Sequence, residues 1–154
     1  MRVRDALPAD AGHITRFNVA LAQESEGKAL DETVLRRGVE RALARPALCR
    51  YFMAEIDREV VGQTMLTYEW SDWRDGVIWW IQSVYVLPEA RRRGVFRALF
   101  DHIERLSRET PDVAALRLYV ERDNERARRT YATLGMEQTG YLVYERGYRR
   151  NLIS

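Results

Sequence analysis

The sequence has few of the residues that build metal sites and disulfide bonds. Cys49 is the only cysteine, so neither an internal disulfide nor a cluster of thiolate metal ligands can form. The two histidines, His13 and His102, stand far apart in the sequence and outside any spacing typical of metal ligands. We therefore expect no bound metal.

Long apolar runs are also missing. No stretch approaches the ~20 apolar residues of a membrane-spanning helix, and the N-terminal MRVRDALPAD lacks the apolar core of a signal peptide. A content of 46% hydrophobic and 31% charged residues is typical of a soluble globular protein, and 154 residues suit one domain, 1–154. We expect a cytoplasmic protein without a membrane partner.

Lysine and a strong net charge are lacking as well. Lys28 is the only lysine among 25 basic residues, which leaves 25 − 1 = 24 arginines, and the formal net charge is +2. This balance does not indicate a nucleic-acid partner. We attribute the arginine excess to genomic base composition, but arginine forks bind phosphate in a way that lysine does not.

One stretch, residues 78–106, combines a buried strand, an arginine-rich turn and an amphipathic helix. The apolar run Trp79–Leu87 predicts a strand buried on both faces. After the turn at 88–93, the apolar residues from Gly94 onward recur at helical spacing, namely at Phe96, Leu99, Phe100, Ile103 and Leu106. A central strand therefore leads through an Arg-Gly turn directly into a helix.

The start of that helix predicts a phosphate site. The first N–H groups of a helix have no internal partner, and the macrodipole adds roughly half a positive charge there, so phosphate binds readily. Gly94 allows close approach of the backbone, and Arg91, Arg92 and Arg93 add charge. A basic run is usually a solvated face, but its place between a buried strand and a helix favours a pyrophosphate.

The remaining pattern predicts an α/β (α+β) fold with a mixed, mostly antiparallel sheet of six to seven strands and about four helices. Asp31 and Asn124 (or Asp123) are expected to cap helices, and Gly62 inside a strand indicates a bulge or a close backbone approach. We predict a polar break at 23–28 and a loop at 69–76. Further strands are predicted at 2–5, 51–56, 60–68 and 114–120, with one or two final strands at 138–146.

Three motifs resemble the GCN5-related N-acetyltransferase (GNAT) family. The segment Arg91–Phe96, RRRGVF, is similar to that family's [Q/R]-x-x-G-x-[G/A] pyrophosphate loop. The preceding SVYVLPEA is similar to its β-branched strand ending in x-Pro-Glu, and the segment 124–136 is similar to its N-x-x-A-x-x-x-Y-x-x-x-G-F helix. A weaker resemblance, in TYEWSDW and LRLYVERDNERARRTY, is to the diamine acetyltransferase-like subgroup.

The resemblance implies transfer of an acetyl group from acetyl-coenzyme A to a primary amine of a small molecule or peptide. The pyrophosphate would be held by the residues Arg91, Arg92, Arg93, Gly94, Val95, Phe96 and Arg97. Strand splaying near Tyr85 and Val86 would expose backbone groups to the pantetheine arm, with the N–H of Val86 donating to the thioester carbonyl. Asn124 and Ala127 would also contact the cofactor.

Tyr131 is the candidate general acid for the departing thiolate. Periodicity alone favours a packed core aromatic at this position, but the family motif assigns it the catalytic role. The general base stays open between Glu69, Asp72, Glu55 and a water relay. Two positions depart from the family pattern, because Phe96 replaces Gly or Ala and Gln82-Ser83 replaces the acidic pair frequent in diamine enzymes.

The acceptor pocket is expected between the polar break and the 69–76 loop. There a cationic amine would be attracted by charge and ring faces of Glu24, Glu26, Glu69, Trp70, Asp72 and Trp73, with Gln82 nearby.

Two alternatives from other classes are a coenzyme A-binding sensor that has lost catalysis and an arginine-rich RNA-binding domain. The resemblance also suggests a possible homodimer, formed through the C-terminal strands.

Overall fold

The computed structural model describes residues 1–149 and 152–153. Its strands are β1 (Arg2–Asp5), β2 (Ala29–Leu30), β3 (Cys49–Ile56), β4 (Glu59–Ser71), β5 (Gly76–Val86), β6 (Val113–Leu118) and β7 (Leu152–Ile153). Its α-helices are α1 (Ala11–Glu26), α2 (Glu32–Leu43), α3 (Val95–Glu109) and α4 (Glu125–Thr133), and short 3-10 helices cover Pro8–Asp10 and Pro88–Ala90.

Five strands form the main sheet in the order β1-β3-β4-β5-β6. The first four are antiparallel neighbours, whereas β6 pairs with β5 in parallel after the α3 crossover. Strands β2 and β7 form a separate antiparallel pair. The mixed α/β class, the mostly antiparallel sheet and the four helices are confirmed, but the main sheet has five strands where six or seven were expected.

Helices cover both faces of the sheet because alternate residues of each strand point to opposite sides. On β3, Phe52 and Ala54 pack in a cluster with α3, while Tyr51 and Met53 pack in a second cluster with α1 and α2. The α3 cluster also contains Trp79 and Ile81 of β5. The central strand is thus held from both sides, which fixes its position relative to the start of α3.

Several local predictions are confirmed. The Asp31 side chain caps α2 by accepting from the N–H groups of Thr33 and Val34. The Asn124 side chain caps α4, and Gly135 follows α4 with a φ of 82°, in the left-handed region that glycine favours. These features depend on residues close in sequence, which is why the pattern identifies them.

Gly62 permits the close approach expected from its place in a strand. A Cβ atom there would lie 2.9 Å from Val95 Cγ1 and 3.2 Å from the carbonyl oxygen of Tyr85. The pairing of β3 with β4 also shifts register beside it, between Ala54 and Glu55. Gly62 therefore allows β4 to pack tightly against the first residue of α3.

Three expectations were wrong. Residues 23–26 of the predicted polar break continue α1 to Glu26, and the predicted 69–76 loop is mostly the end of β4 and a tight hairpin into β5. The predicted strands at 138–146 do not form; residues 137–149 contain no strand. A strand needs a neighbouring strand to satisfy its backbone hydrogen bonds, so residues of strand-forming type do not form one alone.

Two further findings concern membranes and metals. Within residues 1–149 and 152–153, no helix has the length and apolar content required to cross a bilayer. Among those same residues, no group of three or more His, Cys, Asp or Glu side chains is placed to hold a metal ion.

We predict that Gly62→Ala lowers the free energy of unfolding by about 1–3 kcal/mol, because the added methyl group must displace Val95 or the Tyr85 backbone. Urea denaturation followed by circular dichroism measures this loss. The matched control is Gly38→Ala in α2, where a Cβ meets nothing within 4 Å and the expected change is stabilising by up to ~1 kcal/mol. Equal effects of the two substitutions would contradict the close approach.

Candidate active site

The N-terminus of α3 presents unpaired backbone donors. The first bond within the helix runs from the N–H of Ala98 to the carbonyl oxygen of Gly94 at 3.0 Å, and no side chain caps this end. The N–H groups of Val95, Phe96 and Arg97 therefore have no helical partner and point out of the helix. Gly94, with a φ of 79°, takes the left-handed conformation that turns the chain into the helix.

The surroundings of these donors are open beside Gly94 and carry positive charge. A Cβ atom added to Gly94 would meet nothing within 4 Å, so the approach to the helix start is open. Arg92 and Arg93 are exposed and form no ion pair with any residue between 1 and 149. Arg97 is paired with Asp101 at 2.8 Å. Free amide donors, a positive helix end and two uncommitted guanidinium groups match an anion with several oxygens.

Strands β5 and β6 separate next to this helix start. Their parallel pairing ends at Ile81 and Leu118, although β5 continues to Val86. A bulge accompanies the separation, because the β4–β5 register shifts between Gln63 and Met65 and Ser83 has a φ of 51°. The predicted splaying of the central strand is therefore present, and it leaves one side of residues 82–86 without a strand neighbour among the residues that the structure describes.

The backbone of Val86 faces the gap between the two strands. The N–H of Leu87 donates to the carbonyl oxygen of Val61 at 2.8 Å, so the alternation of the ladder directs the N–H of Val86 away from β4. The Val86 carbonyl oxygen also lies on the open side, where it accepts from Arg91 Nε at 2.9 Å. This orientation is the one required of a donor to a ligand lying in the gap.

Gln63 is a site residue that the sequence reasoning missed. Its side chain is fully buried, and its Nε2 donates to the carbonyl oxygen of Ser83 at 3.1 Å, which holds the bulge of β5 in place. Its Oε1 is buried without a hydrogen-bond partner among the described residues. A glutamine next to Gly62 within the predicted strand at 60–68 was the signal, because a buried amide normally has hydrogen-bond partners.

Tyr131 lies beside the start of α3 and contacts Phe96. The two rings meet edge to face with centroids 5.9 Å apart. Burial raises the pKa of the Tyr131 hydroxyl above its usual range, so this group stays protonated through neutral pH. Phe96 is thus the neighbour of the predicted general acid.

Asn124 and Ala127 occupy the first turn of α4. The Oδ1 atom of Asn124 accepts from the N–H of Ala127 at 3.1 Å, so the amide side chain serves as the helix cap. Ala127 is half-buried and Asn124 is exposed. The role of these two residues toward a cofactor stays a prediction, while their capping role is direct.

Arg91, Glu24 and Tyr85 form one network, although 67 residues separate the first two. Arg91 Nη2 lies 2.6 Å from Glu24 Oε2, and the Tyr85 hydroxyl donates to Glu24 Oε1 at 3.2 Å. The Arg91 guanidinium also lies 5.6 Å from the centre of the Tyr85 ring. The network joins the end of α1 to the turn before α3, because α1 continues where a polar break was expected.

Other predicted acceptor residues already have partners along the same side of β5. Glu69 accepts from Trp80 Nε1 at 2.9 Å and lies 3.6 Å from Arg117 Nη1. Gln82 donates through Nε2 to the hydroxyl of Thr67. The Glu69 carboxylate is therefore already engaged by Trp80 and Arg117.

The hairpin tip lies far from the gap. Trp70 and Trp73 are 59% and 91% exposed, and Asp72 caps the turn through the N–H of Trp73. At ~3.3 Å per strand residue, the tip is roughly 20 Å along β5 from Ser83. The structure does not bring these three residues next to Glu24 within one chain.

The two remaining carboxylates are also placed by local contacts. Glu26 is exposed, with Lys28 Nζ 3.9 Å away. Glu55 pairs with Arg4, whose guanidinium also binds Asp10 in a two-pronged contact of 2.8 and 3.0 Å. That cluster ties β1 to the start of α1, so Glu55 takes part in a structural contact.

Comparisons with known proteins point to one family. A family model described as the acetyltransferase (GNAT) family matches residues 17–136. The structure of a possible acetyltransferase from Clostridium difficile 630 is 42% identical, with a TM-score of 0.90, and the alignment covers 97% of this chain and 98% of that one. A comparison with curated proteins finds no match.

Two less similar structures share the fold and were solved with cofactor groups. A predicted acetyltransferase from Clostridium acetobutylicum, solved with acetyl-CoA, has a TM-score of 0.76 at 16% identity over 94% of this chain and 95% of that one. AAC(6')-Iy, in complex with the bisubstrate analog CoA-S-monomethyl-acetylneamine, has a TM-score of 0.75 at 17% identity over 96% and 98%.

We predict that Glu24→Gln raises the affinity for coenzyme A by about two- to fivefold, because it releases Arg91 from an exposed ion pair toward the phosphates. Titration calorimetry measures the change. The matched control is Glu26→Gln, which alters net charge equally at the same helix end but has no contact with Arg91. Equal gains in both variants would show that only long-range charge matters.

Proposed function

Since this chain belongs to the acetyltransferase (GNAT) family, we propose that it transfers an acetyl group from acetyl-CoA to a primary amine of a small molecule or peptide. The family establishes the enzyme class and the acetyl donor. The acceptor, the direct attack and the assignment of residues are the proposal. The observation that carries it is the gap between β5 and β6, which opens beside the unpaired N–H groups of α3.

The residues from Arg91 to Arg97 would hold the pyrophosphate of the cofactor. Val95, Phe96 and Arg97 offer backbone N–H groups, and Arg92 and Arg93 offer charge at the same end of α3. The backbone of Val86 faces the gap in which the pantetheine arm would pair with strand backbone, whereas the backbone of Tyr85 is turned toward β4. Asn124 and Ala127, at the first turn of α4, are proposed to contact the cofactor from the neighbouring helix.

The proposed reaction is a direct attack. The neutral amine nitrogen forms a bond to the acetyl carbonyl carbon, the carbon–sulfur bond breaks, and the sulfur leaves with the electron pair of that bond. The Val86 N–H stabilises charge developing on the carbonyl oxygen. The Tyr131 hydroxyl gives its proton to the departing thiolate, and the proton lost by the nitrogen passes to water.

The state of Tyr131 supports its assignment as the acid. A general acid must be protonated before the reaction, and burial raises the pKa of this hydroxyl. Phe96 restricts the ring by an edge-to-face contact. Since Phe96 stands where the family prefers glycine or alanine, we propose that it orients Tyr131 without removing the backbone donor at its own position.

The acceptor is proposed to enter on the α1 side of β5, where Glu24 and Gln82 lie next to the bulge. Glu24 becomes available to an ammonium group when Arg91 turns toward the phosphates. Glu69 would contact the next part of the acceptor. Glu26 and the tip residues Trp70, Asp72 and Trp73 would be reached only by an extended acceptor such as a peptide.

The rest of the proposal concerns the class of acceptor, the oligomeric state and the cellular compartment. The small-molecule acceptor class is supported by AAC(6')-Iy, whose structure is a complex with the bisubstrate analog CoA-S-monomethyl-acetylneamine. We also propose that the chain is related to the diamine acetyltransferase-like subgroup and that it forms a homodimer. A single cysteine, Cys49, is in keeping with a reducing cytoplasm.

Two measurements test the proposed function. Calorimetry with acetyl-CoA should show binding, and release of free thiol over a panel of small amines and peptides should show turnover. Binding with no turnover for any amine would favour the alternative of a coenzyme A-binding sensor. No binding at millimolar acetyl-CoA would contradict both.

We predict that Tyr131→Phe lowers kcat by ~10²-fold or more, because the departing thiolate loses its proton donor, while the affinity for acetyl-CoA changes little. In the parent enzyme, activity should fall only as the pH approaches the raised pKa of Tyr131, and this fall should vanish in the variant. Tyr119→Phe, which removes an exposed hydroxyl, is the control. Equal losses of kcat and affinity in Tyr131→Phe would indicate a packing role.

A further inference from the structure

One guanidinium group on the sheet has few partners for its donors. The side chain of Arg117 in β6 is only 18% exposed, and its one ion pair among the described residues joins Nη1 to Glu69 Oε2 at 3.6 Å, which is longer than a hydrogen bond. None of the hydrogen bonds that arginine side chains form within residues 1–149 is made by Arg117. A largely buried charge normally has bonded partners, because burial without them costs free energy. Arg117 therefore has N–H groups that a ligand can use.

Aromatic rings surround the Arg117 guanidinium. It lies 5.9 Å from the centre of the Trp80 ring and 5.6 Å from the centre of the Tyr141 ring. Tyr119 stacks on Trp80, with the two ring centroids 4.5 Å apart. Contacts of this kind attract the charge to the rings, but they do not provide acceptors for its N–H groups. We call these residues, together with Glu69, the Arg117 cluster.

The Arg117 cluster shares one face of the sheet with the proposed acceptor entrance. Arg117 pairs with Trp80 in the parallel β5–β6 ladder, and Gln82 lies two residues further along β5 on the same face. At ~3.3 Å per strand residue, the position of Arg117 is about 7 Å along the strands from Gln82 and about 10 Å from Ser83. The gap proposed for the pantetheine arm begins beside these two residues, so a small acceptor can reach both ends of this distance.

We propose that the acceptor carries a carboxylate, which the Arg117 guanidinium binds while the acceptor amine lies at Gln82 beside the gap. This inference rests on the acetyl transfer proposed above and adds a class of acceptor to it. The planar fork of N–H groups on a guanidinium matches the two oxygens of a carboxylate. The acceptor is then an aminocarboxylic acid whose two groups lie about 7–10 Å apart, which is the span of an ω-amino acid or a dipeptide.

A diamine fits this face less well than an aminocarboxylic acid. The second ammonium group of a diamine would meet the charge of Arg117, and like charges repel. Glu69 is the one acid of the Arg117 cluster, and its Oε1 already accepts from Trp80 Nε1 at 2.9 Å. The neutral pair Gln82-Ser83 also stands where diamine enzymes frequently have acids. The relation to the diamine subgroup therefore does not extend to the acceptor.

Glu69 competes only weakly with an acceptor carboxylate for Arg117. Its side chain is 46% exposed and its contact with the guanidinium is the single distance of 3.6 Å. Exposed ion pairs contribute little free energy, whereas a carboxylate held by two parallel N–H···O bonds is bound more strongly. The bond from Trp80 keeps Glu69 in place when the acceptor takes the guanidinium.

Acceptors that differ only in charge test the proposal on the parent chain. Glycylglycine and ε-aminocaproic acid are each compared with the corresponding carboxamide, with release of free thiol from acetyl-CoA as the measurement. We expect kcat/KM for each acid to exceed that for its amide by about tenfold or more, because the amide loses the charge-assisted bonds to Arg117. Equal values for acids and amides would overturn the proposal and leave acetyl transfer standing.

Substitutions at Arg117 assign the preference to this side chain. Arg117→Gln should raise KM for the acids by about tenfold or more, with kcat and both constants for the amides nearly unchanged. Arg117→Lys keeps the charge without the fork and should restore part of the loss, and Glu69→Gln should lower KM for the acids by about twofold because it removes the competing carboxylate. The matched control is Arg108→Gln, which removes the charge of an exposed arginine of α3 paired with Glu104.

Calorimetry separates failure of this inference from failure of the proposed function. Each acid and its amide are titrated into the full chain in the presence of coenzyme A, so that binding is measured without turnover, and circular dichroism checks that each variant is folded. Preferential binding of the acids that Arg117→Gln abolishes, without turnover of any amine, would support the carboxylate site and overturn acetyl transfer. No preference for the acids in binding, or equal losses for acids and amides in Arg117→Gln, would overturn the carboxylate site.

Discussion

Strand β5 is paired with β4 as far as Val86, whereas its pairing with β6 ends at Ile81. The candidate site lies along the gap between β5 and β6 that results. The bulge at Ser83 accompanies the change, and the buried amide of Gln63 holds the bulge by binding the Ser83 carbonyl. Backbone N–H and C=O groups of β5 that would otherwise bond to a neighbouring strand are therefore available to a ligand. The same strand then turns through Arg91–Gly94 into α3.

The separation of the strands matters because it places two kinds of backbone donor side by side. The N–H groups at the start of α3 are unpaired in any helix, but they bind a ligand only where the approach is open. Gly94 provides the open approach, and Gly62 lets β4 pack closely against Val95, which seats the helix on the sheet. Packing around two glycines thus fixes the distance between the helix end and the gap.

The charged side chains beside the gap are held in contacts that a bound anion could break. Arg91 bridges the Val86 carbonyl and Glu24, so an anion that attracts Arg91 would free both a strand acceptor and a carboxylate. Arg92 and Arg93 have no such ties within the described part of the chain. In the proposed function, the Arg91 guanidinium would therefore couple the cofactor site to the acceptor site, a relation that neither sequence motif alone contains.

Local features of this chain could be predicted from the sequence, and long-range contacts could not. Asp31 and Asn124 were identified as caps, and the arginine-rich turn as the start of a helix, because each depends on neighbours within a few residues. The contact of Glu24 with Arg91 was missed, since it required α1 to continue through a polar segment that resembled a break.

The C-terminal strands were predicted at 138–146 from the sequence alone, but strand formation also needs an adjacent edge, which the sequence cannot locate. The resemblance to a known family supplied what periodicity left open. Periodicity alone predicts that Tyr131 is a packed aromatic, whereas the family resemblance makes it the candidate general acid. The structure adds that Phe96 contacts its ring. Burial of Tyr131 and the partners of Glu69 could be known only from the fold.

The central claim is that the N–H groups at the start of α3 bind the pyrophosphate of acetyl-CoA. Amide chemical shifts of ¹⁵N-labelled protein during a coenzyme A titration test it most directly. The account predicts large shifts for the amides of Val95, Phe96 and Arg97, and similar shifts with inorganic pyrophosphate. Binding of coenzyme A that leaves these three amides unmoved while others shift would contradict it.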